Sequence, residues 1–340
     1  MTRARDLSND EANNGGATPP FVAGKNKIIN GDFSVWQRGA TVTAGTYTAD
    51  RWVNTGGSGT VSRQTFTPGT APVAGYESQY YLNWTITADQ INNEMLQRVE
   101  DARTFAGQTV TLSFWARSTV GAQPLNVAIY QSFGTGGSPS SLTGTTLISG
   151  GSPYTPTSSW QRFTFTFTVP SISGKTFGTN NNSFLWVRPA QFTTTATNTS
   201  LDLWGIQLEA GPVATPFTPA GGGHPEAELA LCQRYYFRTT GGSGYQPVCN
   251  GFASSTTNVM GYVQYPVPMR TTPSAIEYAT LQCNDSTIGT VVSAVAFSGT
   301  EVGPSAATLN FTCGSMTTFR PVKVLQNNSA SGYLALSAEL

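Results

Sequence analysis

The chain has 340 residues, enough for two or three domains that each bury a core. Charged residues make up 11% of it, against about 25% in ordinary globular proteins, and the formal net charge is zero. Polarity therefore comes from Ser, Thr, Asn, Gln and Gly, and the dense Lys/Arg surface that phosphate-backbone binding needs is missing, which excludes nucleic acid as an expected partner.

Residues 1–25 are polar and rich in Gly, Asn and Pro and read as an extended arm, one that can order against a partner. The arm holds no apolar h-region, so it is not expected to be a secretory signal. No apolar run in the chain approaches the ~20 residues of a membrane span, so no membrane insertion is expected.

From Lys27 onward the pattern is β. Val110, Leu112, Phe114 and Ala116 alternate with Thr109, Thr111, Ser113, Trp115 and Arg117. Phe163, Phe165, Phe167 and Val169 alternate with Arg162, Thr164, Thr166 and Thr168, and Leu125, Val127 and Ile129 repeat the theme. Period two with one apolar and one Thr-rich face predicts half-buried antiparallel strands. Gly134–Pro139, Gly150–Pro156 and Gly178–Ser183 punctuate them, which predicts a sandwich or jelly roll. Helical windows are confined to Thr87–Glu94 and Pro225–Gln233, the second with Pro225 at a first-turn position and Glu226 and Glu228 near its start.

The stretch Leu201–Arg238 reads as a join: a strand ends in Glu-Ala-Gly-Pro, and Gly221–Gly223 precede the short helix. After Gln233 a second β region begins. Val259, Gly261 and Val263 alternate with Met260, Tyr262 and Gln264, and Pro266 and Pro268 end that strand. Val291–Phe297 and Phe319–Leu325 also read as strands. The expected boundaries are an arm over 1–25, a β domain over 26–219, a Gly-rich connector with a short helix over 220–233, and a smaller β-sandwich over 234–340. Cys232, Cys249, Cys283 and Cys313 lack any CxxC spacing, which argues against zinc and for buried free thiols.

Catalysis is not expected. The single histidine, His224, lies in the glycine-rich connector, and no carboxylate cluster, phosphate-binding loop or H-E-x-x-H motif is present. Seven tryptophans and thirteen tyrosines suit a sugar-stacking surface and a β core equally. Trp84 shares the face of Tyr80, Leu82 and Ile86, and Trp204 that of Ile206 and Leu208, so both read as core, as do Trp36 and Trp52. Trp115 and Trp160 fall on Thr-rich faces, with Arg117 and Arg162 two residues on. Such an aromatic is either covered by a neighbouring segment or open to a ligand, and these four residues are the candidate ligand-binding set. Asp202, on the face of Trp204, needs an arginine, backbone amides or a cation as partner. With Asp32 it forms a weak candidate pair for a structural Ca²⁺, an ion pair or turn being the commoner role. No other cofactor is expected.

Five pieces of residues 26–219 carry a family pattern: NKIINGDFSVWQRG, TADRW, QRVEDARTFAGQTVTLSFWARS, WQRFTFTFTVP and LDLWGIQLEAGPVATPF. Together they resemble the jelly-roll domain of tail-fibre-like structural proteins of tailed bacteriophages, itself similar to the carbohydrate-binding modules of polysaccharide hydrolases. HPEAELALCQRYYFR and YVQYPVPMRTTP resemble the C-terminal β domain that follows it, and TRARDLSN resembles a fibre attachment segment. The resemblance implies an all-β chain: a jelly-roll β-sandwich, then a second smaller β-sandwich, with an extended N-terminal arm. It implies a non-enzymatic virion protein, a tail or head fibre assembled in the host cytoplasm and docked to other virion proteins through residues 1–25. A homotrimer and a host cell-surface glycan are its implied partners. The alternatives are a polysaccharide-degrading enzyme or its accessory module, and a purely architectural decoration or collar fibre.

Overall fold

A computed structural model describes residues 24–43, 45–56, 59–73, 76–87, 93–120, 123–145 (141–145 by backbone alone), 154–192, 198–239, 242, 244–285 and 289–340. The strands are β1 (Thr41–Thr43), β2 (Trp52–Thr55), β3 (Thr60–Thr65), β4 (Tyr80–Ile86), β5 (Glu94–Glu100), β6 (Thr109–Val120), β7 (Ala128–Ser132), β8 (Ser141–Thr145), β9 (Gln161–Thr168), β10 (Phe184–Gln191) and β11 (Thr199–Ala210). Helix α1 (Pro225–Gln233) follows. Then come β12 (Tyr236–Arg238), β13 (Pro247–Ala253), β14 (Asn258–Gln264), β15 (Ala275–Ala279), β16 (Leu281–Asn284), β17 (Gly289–Val291), β18 (Ala294–Val302), β19 (Ala306–Thr312), β20 (Pro321–Gln326) and β21 (Tyr333–Ser337). The chain is all-β, with two compact units: one of Met1–Ser34, Thr55–Gly59 and Gln64–Glu228, the other of Val35–Asn54, Thr60–Arg63 and Leu229–Leu340. The expected arm lies, up to residue 23, outside the described residues.

The first unit is a jelly-roll sandwich. One sheet sets β4, β11, β6 and β9 side by side, the other β5, β10, β7 and β8. Every one of these pairings is antiparallel. Alternation explains its interior: Leu82, Trp84 and Ile86 of β4, Leu112 and Phe114 of β6, and Leu185 and Val187 of β10 are all wholly buried. Rings close the space between the sheets, Trp84 on Phe192 at 5.0 Å and Phe114 on Tyr154 at 5.7 Å. Asn26 locks the incoming chain to β11: its amide donates to the carbonyls of Ile206 (3.0 Å) and Thr218 (3.1 Å), and its oxygen accepts from Ile28 N–H and Leu208 N–H. Gly31 makes that approach feasible, since a Cβ there would sit 2.2 Å from the Ile206 carbonyl oxygen.

Two expectations change. Glu94, placed at the end of a helical window, opens β5 and pairs with Gln191 of β10. Residues 88–92 of that window lie outside the described residues. Trp204 does not share the face of Leu208. A bulge lies between Trp204 and Gln207, so Trp204 pairs with Trp115 on the outer face while Leu208 pairs with Leu112 on the inner one. Gly205, at φ +64° within the bulge, produces the reversal of parity.

The second unit is also a sandwich. A three-stranded sheet (β12-β21-β15) and a seven-stranded sheet (β17-β16-β20-β13-β14-β19-β18) enclose a core that includes Val259, Leu309, Phe311, Val324, Leu334 and Leu336. All four cysteines are free thiols, and Cys232, Cys283 and Cys313 are buried. Residues 35–54 and 60–63, expected inside the first β domain, group with this unit. Their polar and cationic side chains explain why. Gln37 donates to the Tyr236 carbonyl at 2.7 Å, and Arg38 lies 3.5 Å from the Tyr236 ring centroid. Arg51, 1% exposed, lies 3.4 Å from the Tyr235 ring centroid and is ion-paired to Glu339. Strand β1 pairs with Thr60–Ser62 of β3 and brings that segment along.

Glu339→Gln removes the charge opposite a buried arginine. It is expected to lower the unfolding free energy by about 3–5 kcal/mol, read from urea denaturation.

Candidate functional site

The outer face of the first sheet carries the site. Gln207 and Glu209 point outward from β11, and the chain after that strand folds back over them. Glu209, 1% exposed, accepts from Thr215 N–H at 2.9 Å and Thr215 Oγ1 at 2.7 Å and is ion-paired to Lys25 at 3.3 Å. Gln207 accepts from Thr218 N–H at 2.8 Å. This clamp presses Phe217 onto Trp204, ring centroids 5.0 Å apart. Phe66, Trp115, Trp204 and Phe217 then form a buried aromatic cluster, bordered by Tyr76, Tyr81 and Trp160.

A groove of about 470 Å³ opens beside the cluster, lined by Thr65, Thr67, Tyr81, Arg117, Ser159 and Trp160 among others. Tyr81 and Trp160 meet edge to face at 5.4 Å and 88°. Arg117 lies 4.8 Å from the Trp160 ring and 5.3 Å from that of Tyr81. Its Nε donates to Asp202 at 2.7 Å and one terminal nitrogen to the Tyr81 hydroxyl at 3.1 Å. Asp202 is 2% exposed and also accepts from Asn83 at 2.6 Å. The carboxylate thus fixes the plane of the guanidinium, leaving the other terminal nitrogen without a partner among the described residues. Burial, then the charge of Asp202, pushes the Tyr81 phenol above its ordinary value, so it stays a neutral hydroxyl at neutral pH.

The candidate set separates around this geometry. Arg117 and Trp160 line the groove. Trp115 is 8% exposed and packs against Trp204 in a tilted contact at 5.3 Å, with the Arg162 guanidinium over its ring at 4.7 Å. Arg162 donates to Ser113 Oγ at 3.1 Å and to the Thr215 carbonyl. Burial lowers its pKa, opposed by the charge of Glu209. Trp115 and Arg162 therefore build the floor and hold the return segment. Tyr81 is a groove residue that the aromatic reading passed over, although its parity opposite Leu82 and Trp84 marks it as outward. Phe66 and Thr67 follow a strand end and carry no such signal.

A second concavity of the first unit, about 440 Å³, is lined by Asp32, Tyr76, Glu77, His224 and Glu228 among others. Asp32 accepts from Ser34 Oγ at 2.9 Å and Tyr76 Oη at 3.0 Å. Glu228 accepts from Gly221 N–H at 2.6 Å and from Asn30 N–H. Asp32 and Asp202 lie at different places and each has its own protein donors. Among the described residues no group of three or more His, Cys, Asp or Glu side chains is arranged to hold a metal ion.

No protein family's sequence profile matches the chain, and no curated protein matches it. Solved structures do. The CBM22-1 xylan-binding domain from Paenibacillus barcinonensis Xyn10C is 14% identical, covering 56% of this chain and 98% of its own, with a TM-score of 0.32. The family 11 carbohydrate-binding module from Clostridium thermocellum, in complex with a β-1,3-1,4-mixed-linked tetrasaccharide, is 14% identical, covering 52% and 97%, at 0.31. The enzymatically active domain of bacteriophage CBA120 tailspike protein 4 is 10% identical, covering 55% of this chain and 22% of its own, at 0.33.

Burial, and then the nearby charge of Asp32, raises Glu228 to about 7 against the N–H bonds that oppose the shift. The folded state therefore binds a proton more tightly than the unfolded one. The stability this confers is complete at acid pH and is lost as pH rises through about 7. Glu228→Gln is expected to shrink the fall in urea midpoint between mildly acidic and mildly alkaline buffer. An unchanged fall would assign that pH dependence to other groups.

Proposed function

We propose that the protein is a glycan-binding virion structural protein, a tail or head fibre of a tailed bacteriophage, that holds a host-surface sugar in the groove between Trp160 and Arg117. The observation that carries the binding half is Arg117, fixed by the buried Asp202 and Tyr81 against the Trp160 ring with donor capacity left over. A pyranose offers a C–H face to stack on an indole and hydroxyls to bond a fixed guanidinium. Thr65, Thr67 and Ser159 around the rim add hydroxyls that both donate and accept. The arrangement orients a sugar. Among the described residues no carboxylate lines the groove, and Asp202 behind it is ion-paired to Arg117, so the acid-and-base carboxylate pair of glycoside hydrolysis is not seen there.

The fibre half is supported by the order of the resembling motifs along the chain, from the attachment-like N-terminus through jelly roll to second β domain. Residues 1–25 dock the chain to other virion proteins, and three copies present three grooves. Linked sites of that kind raise avidity by ~10²–10⁴ without any new contact.

On a bacterial-glycan array, the full chain is expected to bind, and Trp160→Ala to lose at least about tenfold in affinity, ~1.4 kcal/mol, while melting near the wild-type temperature. Binding that survives both Trp160→Ala and Arg117→Ala would overturn the groove as the sugar site. Deleting residues 1–25 is expected to leave particles without the protein, and particles that still carry it would overturn the docking arm.

A further inference from the structure

The seven-stranded sheet of the second unit carries an unrelated open concavity on its outer face. It measures about 680 Å³ and is bordered by Asn250, Asn284, Asp285, Arg320 and Lys323 among others. Strand register shows how it is built. Asn284 of β16 is opposite Lys323 of β20, Lys323 is opposite Asn250 of β13, and Asn250 is opposite Tyr262 of β14. Directly paired residues share a face, so these four side chains form one row at the ~4.8 Å spacing of neighbouring strands. Their chain neighbours Cys283, Val322, Val324 and Val263 are buried, which confirms that the row looks outward. Tyr262 is 59% exposed, and Phe252, two residues along β13 from Asn250, is 44% exposed.

The charges in the row are unusual for this protein. Lys323 is the sole lysine of the second unit. Its ammonium has no partner among the described residues. Asp285, the acidic residue at the edge, is 2% exposed and accepts from Thr317 N–H at 3.3 Å, so the exposed charge of the row is the ammonium of Lys323. A protein-binding core would be apolar and depleted of charge. Two amides flanking an ammonium, with a flat phenol ring next in line, instead match a ring of hydroxyls that also bears an acid group.

We propose that this face binds an acidic saccharide, one carrying carboxylate or phosphate. Lys323 meets the acid, Asn250 and Asn284 meet hydroxyls, and Tyr262 lies under the sugar's C–H face. The site is independent of the first-unit groove and does not require Trp160 or Arg117.

Affinity electrophoresis of the full chain tests it, in gels containing polygalacturonate (carboxylate), lipopolysaccharide (phosphate) or neutral hydroxyethylcellulose. Retardation is expected in an acidic gel, weakening as salt is added. Retardation by polygalacturonate assigns a carboxylate ligand, and retardation by lipopolysaccharide but not by its dephosphorylated form assigns a phosphate ligand. Lys323→Glu and Asn250→Ala, both at exposed positions, are each expected to weaken it at least about fivefold, and by the same factor in the Trp160→Ala background, where the first-unit groove no longer contributes. The proposal is overturned if neither acidic polymer retards the chain or if Lys323→Glu migrates like wild type. It is overturned also if Lys323→Glu alters the sedimentation coefficient, which would make this face a contact between copies.

Discussion

The first unit depends on one carboxylate. Glu209 lies at the end of β11, buried, and gathers Lys25 and both the amide and hydroxyl of Thr215. Without it the chain after the strand would have no reason to reverse over the sheet it has just left. With it, the outer face of β6 and β11 becomes a second interior, floored by Trp115 and Trp204 and closed by Phe217. The groove exists because that covering stops short of Tyr81, Trp160 and Arg117. A sheet face that would otherwise be uniformly wet thus acquires a boundary between dry and wet, where aromatic rings can be both held and exposed.

The same logic recurs in the second unit with the opposite sign of anchor. There a buried cation, Arg51, gathers Glu339 and the face of Tyr235, and Arg38 adds a second guanidinium against Tyr236. The short sequences TADRW and QRYYFR are the two halves of that knot. LEAGPVATPF is the reversing segment of the first unit. The stretches quoted for the resemblance thus hold much of the scaffold together with Arg117 and Trp160, whereas the groove residues Phe66, Thr67 and Ser159 fall outside them.

Period-two alternation exposed β6, β9 and β14 directly, because side-chain direction alternates along each and one face of each is apolar. Parity failed at Trp204, where Gly205 inserts a bulge. A glycine inside a strand signals that a bulge is present but not which neighbours change face. The grouping of residues 35–54 with the second unit was hidden for another reason. Arg51 and Glu339 are 288 positions apart, and neither is marked by its neighbours as buried. Glu228 stands in the first turn of α1, as its position suggested, but nothing in its neighbours marks that it is enclosed and bonded to Gly221 and Asn30. Of the candidate residues, Arg117 and Trp160 stood out as an aromatic and a cation on polar faces. Their separation from Trp115 and Arg162 required knowing where residues 211–218 go.

Scarcity of charge sets the kind of recognition this chain can perform. Its ion pairs, each with at least one buried partner, hold the scaffold together: Lys25 with Glu209, Arg51 with Glu339, Arg117 with Asp202, Arg188 with Glu94. Lys323 is the single lysine that the second unit offers to an acid group, and elsewhere little charge remains for long-range attraction, so the first-unit groove cannot collect ligand by electrostatic steering. Contact must come from rings, amides and hydroxyls, each contributing about 1 kcal/mol after desolvation. Such a site is weak and orientation-dependent alone, and it discriminates by the placement of hydroxyls more than by charge. On the fibre proposed above, repeated copies would convert small differences in fit into a decision to attach, because copies multiply affinity while leaving each site's selectivity unchanged.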